Sequence, residues 1–221
     1  ELLLHEKWNE FIQVALNKDE TESVYFYSNA ILLNNDAIDK IISFENIHKV
    51  SAIFFSIGGV DKESYELMYG VNKFDTVCAN ISSLCKALKD NGLELKINCE
   101  LRIPKHIKPN LKEMGVKLNS YGYTKFHLGY IDCYDNIGGM IDSTALDYLP
   151  KKEKTMPCYR LNDIRFDIHG DIWACGCVVT EQINNDELRL GDFGSGYDDI
   201  VFNKEKLLEK WNLGKIPSVC L

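Results

Sequence analysis

The sequence has no excess of positive charge. Lys and Arg number 25 against 33 Asp and Glu, a formal net charge of -8. Proteins that hold a phosphate backbone carry Lys and Arg in excess on one face, so nucleic acid and anionic membrane are not expected partners. Long apolar runs are also lacking. None approaches the roughly 18 to 20 residues that span a bilayer, and the opening ELLLHEKWNE has neither the basic region nor the small-residue cleavage site of a signal peptide. The expectation is a soluble, cytoplasmic protein. Internal repeats and low-complexity stretches are absent, so the 221 residues are expected to fill one large domain, or a domain with a small module.

Cysteine is plentiful, with eight residues. In the cytoplasm disulfides rarely persist, and clustered thiols point to metal or catalysis. Cys78, Cys85, Cys99 and Cys133 lie in periodic apolar segments and read as small buried hydrophobes. Cys158, Cys175, Cys177 and Cys220 sit instead beside Pro, Gly and turns, which is ligand context.

Strands and helices alternate through the first part of the chain. Residues 2 to 17 put Leu4, Trp8, Phe11, Ile12 and Ala15 on one helical face. VYFYSNAILL holds a strand at about 24 to 29, followed by a helix capped by Asn35 or Asp36. VSAIFFSI is a second strand, and FDTVCANISSLCKALKDNG a helix closed by Gly92. LELKINCEL and YTKFHLGYI add two strands, with a short helical piece near 108 to 115 between them. A parallel partner cannot be reached by a tight turn, so the alternation predicts an α/β fold with parallel strands and right-handed crossovers. Ligands collect where such strands end. Ser28, Asn29, Ser56, Gly58, Gly59, Arg102 and Asp132 are therefore site candidates.

Near residue 150 the charged, Pro-punctuated stretch LPKKEKTMPCYR marks a boundary, giving domains 1–150 and 151–221. IRFDI and DIWAC read as a β-hairpin turning through His169 and Gly170. FNKEKLLEKWNLGK reads as a helix capped by Asn203. Cys158 and Cys175 flank the hairpin as Cys-x11-Gly-x4-Cys, so the turn carries the second thiol back toward the first. Four thiolates hold a [4Fe-4S] cluster, and Cys158, Cys175, Cys177 and Cys220 are the candidate ligands. Spacing alone leaves a zinc site open.

The segment PCYRLNDIRFDIHGDIWACGC, the later LRLGDFGSG and the ending FNKEKLLEKWNLGKIPSVC resemble the C-terminal SPASM or twitch module of radical S-adenosylmethionine enzymes. Upstream, SNAILLN is similar to that family's Thr-Asn-Gly-x-Leu-Leu strand end, and SIGGVDKESYELMYG to its Ser-Leu-Asp-Gly loop and Tyr-bearing helix. ELLLH resembles the tail of Gly-Gly-Glu-Pro-Leu-Leu-His. The fold this resemblance implies is a partial (β/α)6 TIM-like barrel with four of its parallel strands present, then a small hairpin-plus-helix module holding an auxiliary [4Fe-4S] cluster. Family members begin with a strand and a Cys-x3-Cys-x2-Cys loop for the cofactor-cleaving cluster. That motif is lacking here, so the expectation is a fragment that does not cleave S-adenosyl-L-methionine by itself. Members usually place another Cys two residues past the position of Cys220.

The resemblance implies an oxidoreductase or maturase that generates a 5'-deoxyadenosyl radical and modifies a peptide or sugar-type substrate, with a flavodoxin or ferredoxin as reductant. It places Glu1, Asn29, Ser56 and Arg102 at the cofactor and the four later cysteines at the auxiliary cluster. No catalytic residue is assigned, although His127, Asp132 and Asp135 are substrate-side candidates. Gly58, Ala30 and Leu2 depart from the family's Asp, Gly and Pro. Gly176 stands where sulfatase-maturating members carry an Asp, which removes support for that chemistry. The alternative reading is a non-catalytic zinc or iron-sulfur module that serves structure or partner docking.

Overall fold

Parallel strands need long crossovers, and the chain supplies them between each successive pair. The structure is a computed structural model that describes residues 1–103, 107–119, 121–132, 161, 163–167, 169–175 and 186–217. The chain divides into two compact units, Glu1–Cys133 and Tyr134–Leu221.

In the first unit β1 (Val24–Ser28), β2 (Val50–Ile57), β3 (Ile97–Ile103) and β4 (Phe126–Asp132) form one sheet in the order β1-β2-β3-β4. All three pairings are parallel. After a register shift between Val24 and Tyr25 in the β1–β2 pairing, the register runs on unbroken: Phe26, Ile53, Ile97 and Phe126 stand in one row, and Tyr27, Phe54, Asn98 and His127 in the next. The helices are α1 (Trp8–Leu16), α2 (Asn35–Ile42), α3 (Lys62–Tyr69), α4 (Phe74–Asp90) and α5 (Leu111–Leu118). Helix α2 joins β1 to β2, α3 and α4 join β2 to β3, and α5 joins β3 to β4. This mixed α/β arrangement is compatible with part of an α/β barrel.

Side chains alternate across a strand, and one face of the sheet carries Phe26, Ile53, Phe55, Ile57, Ile97, Cys99, Leu101 and Ile103. They pack with Ile38 and Ile41 of α2, Val77, Ile81, Leu84 and Leu88 of α4, and Met114 and Leu118 of α5 in one core. Each large apolar side chain buried there stabilises the unit by about 1.5–3 kcal/mol. Cys78, Cys85 and Cys99 belong to this core, as their periodic setting predicts. Burial pushes the Cys78 thiol up to about 11 and Cys85 to about 12, so both stay protonated and apolar at neutral pH.

Several element ends differ from expectation for local reasons. Residues 2–4 form a single 3-10 turn because the Glu1 carboxylate accepts from Leu3 N–H, and α1 begins only at Trp8. The cap of α2 is Asn34, whose side chain accepts from Ala37 N–H at 2.9 Å, and not Asn35 or Asp36. Gly92 follows α4 with φ 64°, the left-handed conformation that suits glycine after a helix. The link into β3 is then held by Tyr123. Its hydroxyl lies 2.8 Å from Leu93 O and 2.7 Å from Leu95 O, and Asn119 brackets its backbone from both sides.

The second unit contains β5 (Arg165–Phe166), β6 (Asp171–Trp173) and β7 (Arg189–Asp192), an antiparallel sheet in the order β5-β6-β7. The expected hairpin is β5–β6, turning through Gly170 at φ 87°. Strand β7 falls in the LRLGDFGSG stretch, where no strand is expected from the sequence. Helix α6 (Tyr197–Asn212) starts six residues before Asn203, which therefore does not cap it. Asn203 instead donates to Leu190 O at 2.8 Å and ties the helix to β7. Ile172, Ala174, Cys175, Leu188, Leu190, Leu207 and Trp211 form the core of this unit.

Replacing Tyr123 with Phe removes the donor to two loop carbonyls while keeping the ring. The expected loss is about 1–2 kcal/mol of unfolding free energy, read from urea denaturation with an unchanged slope.

Candidate functional site

Because β1 to β4 run the same way, their C-terminal ends share one edge of the sheet. The expected site residues sit at or just inside that edge. Ser28 is the last residue of β1, Ser56 and Arg102 are next to last in β2 and β3, and Asp132 ends β4. Residues expected after the strands are in part the strands' own final positions.

The end of β1 is held by a group of side-chain hydrogen bonds. The Glu1 carboxylate reaches it from outside: Oε1 accepts from Ser28 Oγ at 2.8 Å and Leu3 N–H at 3.2 Å, and Oε2 accepts from Asn29 N–H at 2.7 Å. A carboxylate has about four acceptor positions, so Oε2 keeps one for a further donor. Ser28 is buried, and its hydroxyl also accepts from Ala30 N–H at 3.0 Å. Asn29 uses Oδ1 to accept from Ile31 N–H at 3.0 Å, leaving its amide NH2 as a donor. Glu1 and Asn29, two of the four expected cofactor residues, are thus in direct contact.

Ala30 closes this turn in the left-handed region at φ 60°, although it is fully buried. A Cβ in that conformation costs roughly 1–2 kcal/mol, so the position favours glycine. Asn80 of α4 holds the strained backbone by donating to Ala30 O at 2.8 Å and Ile31 O at 3.2 Å.

Ser56 and Arg102 lie on the sheet face opposite the helices. Among the described residues neither side chain makes a hydrogen bond or ion pair. After β2 the chain passes through Gly58 and Gly59. A Cβ on Gly58 would fall 2.4 Å from the Tyr69 ring, and one on Gly59 2.4 Å from Tyr65 N. The two glycines therefore let α3 pack closely on this loop. Asp61 then caps α3 by accepting from Ser64 N–H at 2.8 Å, and the Ser64 hydroxyl beside it holds the Asp61 carboxyl below its ordinary value. The cap contributes stability at neutral pH that is lost as pH falls through that lowered value.

No family model matches the chain, and no curated protein matches it.

Of the four expected cluster ligands, Cys175 is described. It is buried just past β6 beside Ala174, in the apolar core of the second unit. The turn before it is stiffened by Asp167, which accepts from Trp173 Nε1–H at 2.8 Å, His169 N–H at 2.9 Å and Asp171 N–H at 3.0 Å. The indole bond, followed by those backbone bonds, holds the Asp167 carboxyl below its ordinary value. The hairpin thus places the Cys175 thiol among apolar neighbours, the same kind of setting that Cys78, Cys85 and Cys99 have in the first unit. Cys158, Cys177 and Cys220 lie outside the described residues, as does Asp135. Among the described residues no group of three or more Cys, His, Asp or Glu converges as a metal site.

The sequence reading missed a second feature. Asn98, Glu100 and Arg102 alternate with buried Ile97, Cys99, Leu101 and Ile103, so β3 has a polar face as well as an apolar one. That period-two signal was present in INCELRI and marks a strand half-open to solvent.

Replacing Ala30 with Gly relieves the left-handed strain but loses a buried methyl and adds freedom to the unfolded chain. These effects nearly cancel, and urea denaturation should place the variant within about 0.5 kcal/mol of the parent. Ala37→Gly inside α2 has no strain to relieve and should lose about 1 kcal/mol or more.

Proposed function

We propose that this chain is part of a radical S-adenosyl-L-methionine enzyme whose second unit carries an auxiliary [4Fe-4S] cluster. The observation that carries this reading is the turn after β1. SNAILLN aligns with a family motif that has glycine where Ala30 stands, and the backbone at Ala30 is in the conformation that favours glycine. The same turn is gripped by Glu1, which takes the place of the family's acidic residue.

In this reading the open acceptor position on Glu1 Oε2 receives the amino group of the cofactor's methionyl part, and the Asn29 amide donates beside it. The Ser56 hydroxyl and the Arg102 guanidinium face the same side from β2 and β3, with no competing protein partner among the described residues. Ser28 and Leu3 fix the carboxylate before any ligand arrives, so little orienting is left to do on binding. Tyr69 occupies the space that a side chain at Gly58 would need, which accounts for the departure from the family's Asp at that position. When bound and reduced, the cofactor supplies the radical that takes a hydrogen atom from substrate. Cys158, Cys175, Cys177 and Cys220 would hold the auxiliary cluster, and a flavodoxin or ferredoxin would deliver electrons. The substrate is a peptide or a sugar-type molecule.

Titration of the chain with S-adenosyl-L-methionine, followed by ligand-observed NMR, tests this site. Saturable binding is expected, and Glu1→Gln should weaken it at least fivefold, since the amide has lost the charge that pairs with an ammonium. Binding that ignores Glu1→Gln, or no saturable binding, speaks against the assignment.

A further inference from the structure

A buried N–H without an acceptor has given up water and gained nothing in exchange, so such groups are rare in folded chains. Trp211 of α6 is 2% exposed, and its indole Nε1–H makes no hydrogen bond. Among the described residues of the second unit it is the one buried side-chain nitrogen or oxygen left so. An indole nitrogen only donates, so what the site lacks is an acceptor. Trp173 in the same unit shows the ordinary outcome, with its Nε1–H bonded to Asp167 at 2.8 Å.

The topology puts Trp211 at the end of the unit where Cys175 stands. Helix α6 runs back along β7: a Cβ on Gly191 would lie 3.7 Å from Ile200 Cγ1, and further along the helix Asn203 donates to Leu190 O at 2.8 Å. Trp211 is eight residues past Asn203 in the same helix, about 12 Å along its axis. Strand β6 is also antiparallel to β7, and Ala174 N–H donates to Leu188 O at 2.9 Å. Cys175 follows, about 10 Å along the strand direction from the level of Leu190. The indole and the thiol are thus both carried to one end of the core that they share. The other buried members of that core are Leu, Ile and Ala, whose side chains offer no acceptor.

We propose that Trp211 donates its indole N–H to an anionic sulfur of the auxiliary [4Fe-4S] cluster, a cluster sulfide or the Cys175 thiolate, and thereby raises the cluster's affinity for an electron. The inference rests on the radical-enzyme reading and adds a donor from α6 to the four cysteines. An added electron makes the sulfurs more negative, so a hydrogen bond to one of them stabilises the reduced state more than the oxidised state. In an apolar core no water competes for the N–H, which keeps the effect strong. The indole also supplies this donor without burying a charge, as Lys or Arg at the position would. The electron comes from the external reductant, which is oxidised, and the N–H bond stays intact.

The test is a redox titration of the full chain after anaerobic reconstitution with iron and sulfide, followed by the visible absorption of the cluster. At the parent's midpoint potential, Trp211→Phe should raise the ratio of oxidised to reduced cluster at least threefold, a shift of about 28 mV at 59 mV per tenfold for one electron. Leu207→Val disturbs the same core without removing a donor, and its ratio should stay within twofold of the parent. Pulsed EPR of the reduced cluster gives a second readout, since labelling the indoles with nitrogen-15 should add a nitrogen coupling in the parent that Trp211→Phe lacks. If Trp211→Phe takes up no cluster, the labelled parent carries the test. An unchanged ratio in Trp211→Phe, a shift of equal size in Leu207→Val, or no nitrogen coupling in the labelled parent overturns the inference and leaves the cluster assignment standing. A parent that stays colourless or takes up zinc in place of iron overturns both.

Discussion

Parallel pairing of four strands is the constraint on which the first unit depends. Because β1 to β4 all run one way, each connection must cross over, and those crossovers become the helices that bury Ile53, Phe55, Ile97 and Leu101. The same constraint delivers Ser28, Ser56, Arg102 and Asp132 to one edge, since each stands at or next to the end of its strand. Neighbouring rows also stay in register across the sheet, so Phe54, Asn98 and His127 line up although they are far apart in sequence. The placement of site residues thus follows from topology before any side-chain contact is considered.

On that edge the chain accepts local strain. Ala30 adopts a conformation that glycine would take more easily, while Ser28, Glu1 and Asn80 hold the turn through five hydrogen bonds. Strain of this kind persists only where the surroundings over-determine it, and such places are frequently functional. The result is a carboxylate fixed by three donors, with one acceptor position unused. The second unit reaches rigidity by another route. Asp167 gathers three donors under the β5–β6 turn, and Arg189 pairs with Asp171 across the sheet and with Asp192 on its own strand.

Much of this was legible in the sequence where the signal is local. The four parallel strands, Gly92 after α4 and Gly170 in the hairpin turn follow from periodicity and from the φ values that glycine permits. Boundaries set by longer contacts were not legible. Asn203 looks like a cap but sits inside α6, because Gly196 and the acidic Asp198 and Asp199 start the helix earlier. Asn34 takes the cap expected of its neighbours because its extended backbone, φ -82° and ψ 179°, aims its side chain at Ala37 N–H. Strand β7 is four residues long and contains a glycine, too weak a pattern to separate from a turn. The direct grip of Glu1 on Ser28 and Asn29, 27 and 28 residues away, had no signal in the sequence; the resemblance implied only that Glu1 and Asn29 lie at the cofactor. Cys175 is buried in the apolar core of the second unit, and Cys158, Cys177 and Cys220 fall outside the described residues.

The central claim, that the late cysteines serve an iron-sulfur cluster, is tested most directly by anaerobic reconstitution with iron and sulfide. The account predicts a brown protein with a broad visible absorption band and equal amounts of bound iron and sulfide, all lost in Cys158→Ala and Cys175→Ala. A colourless protein, one that binds stoichiometric zinc in place of iron, or a band that survives both substitutions would contradict it.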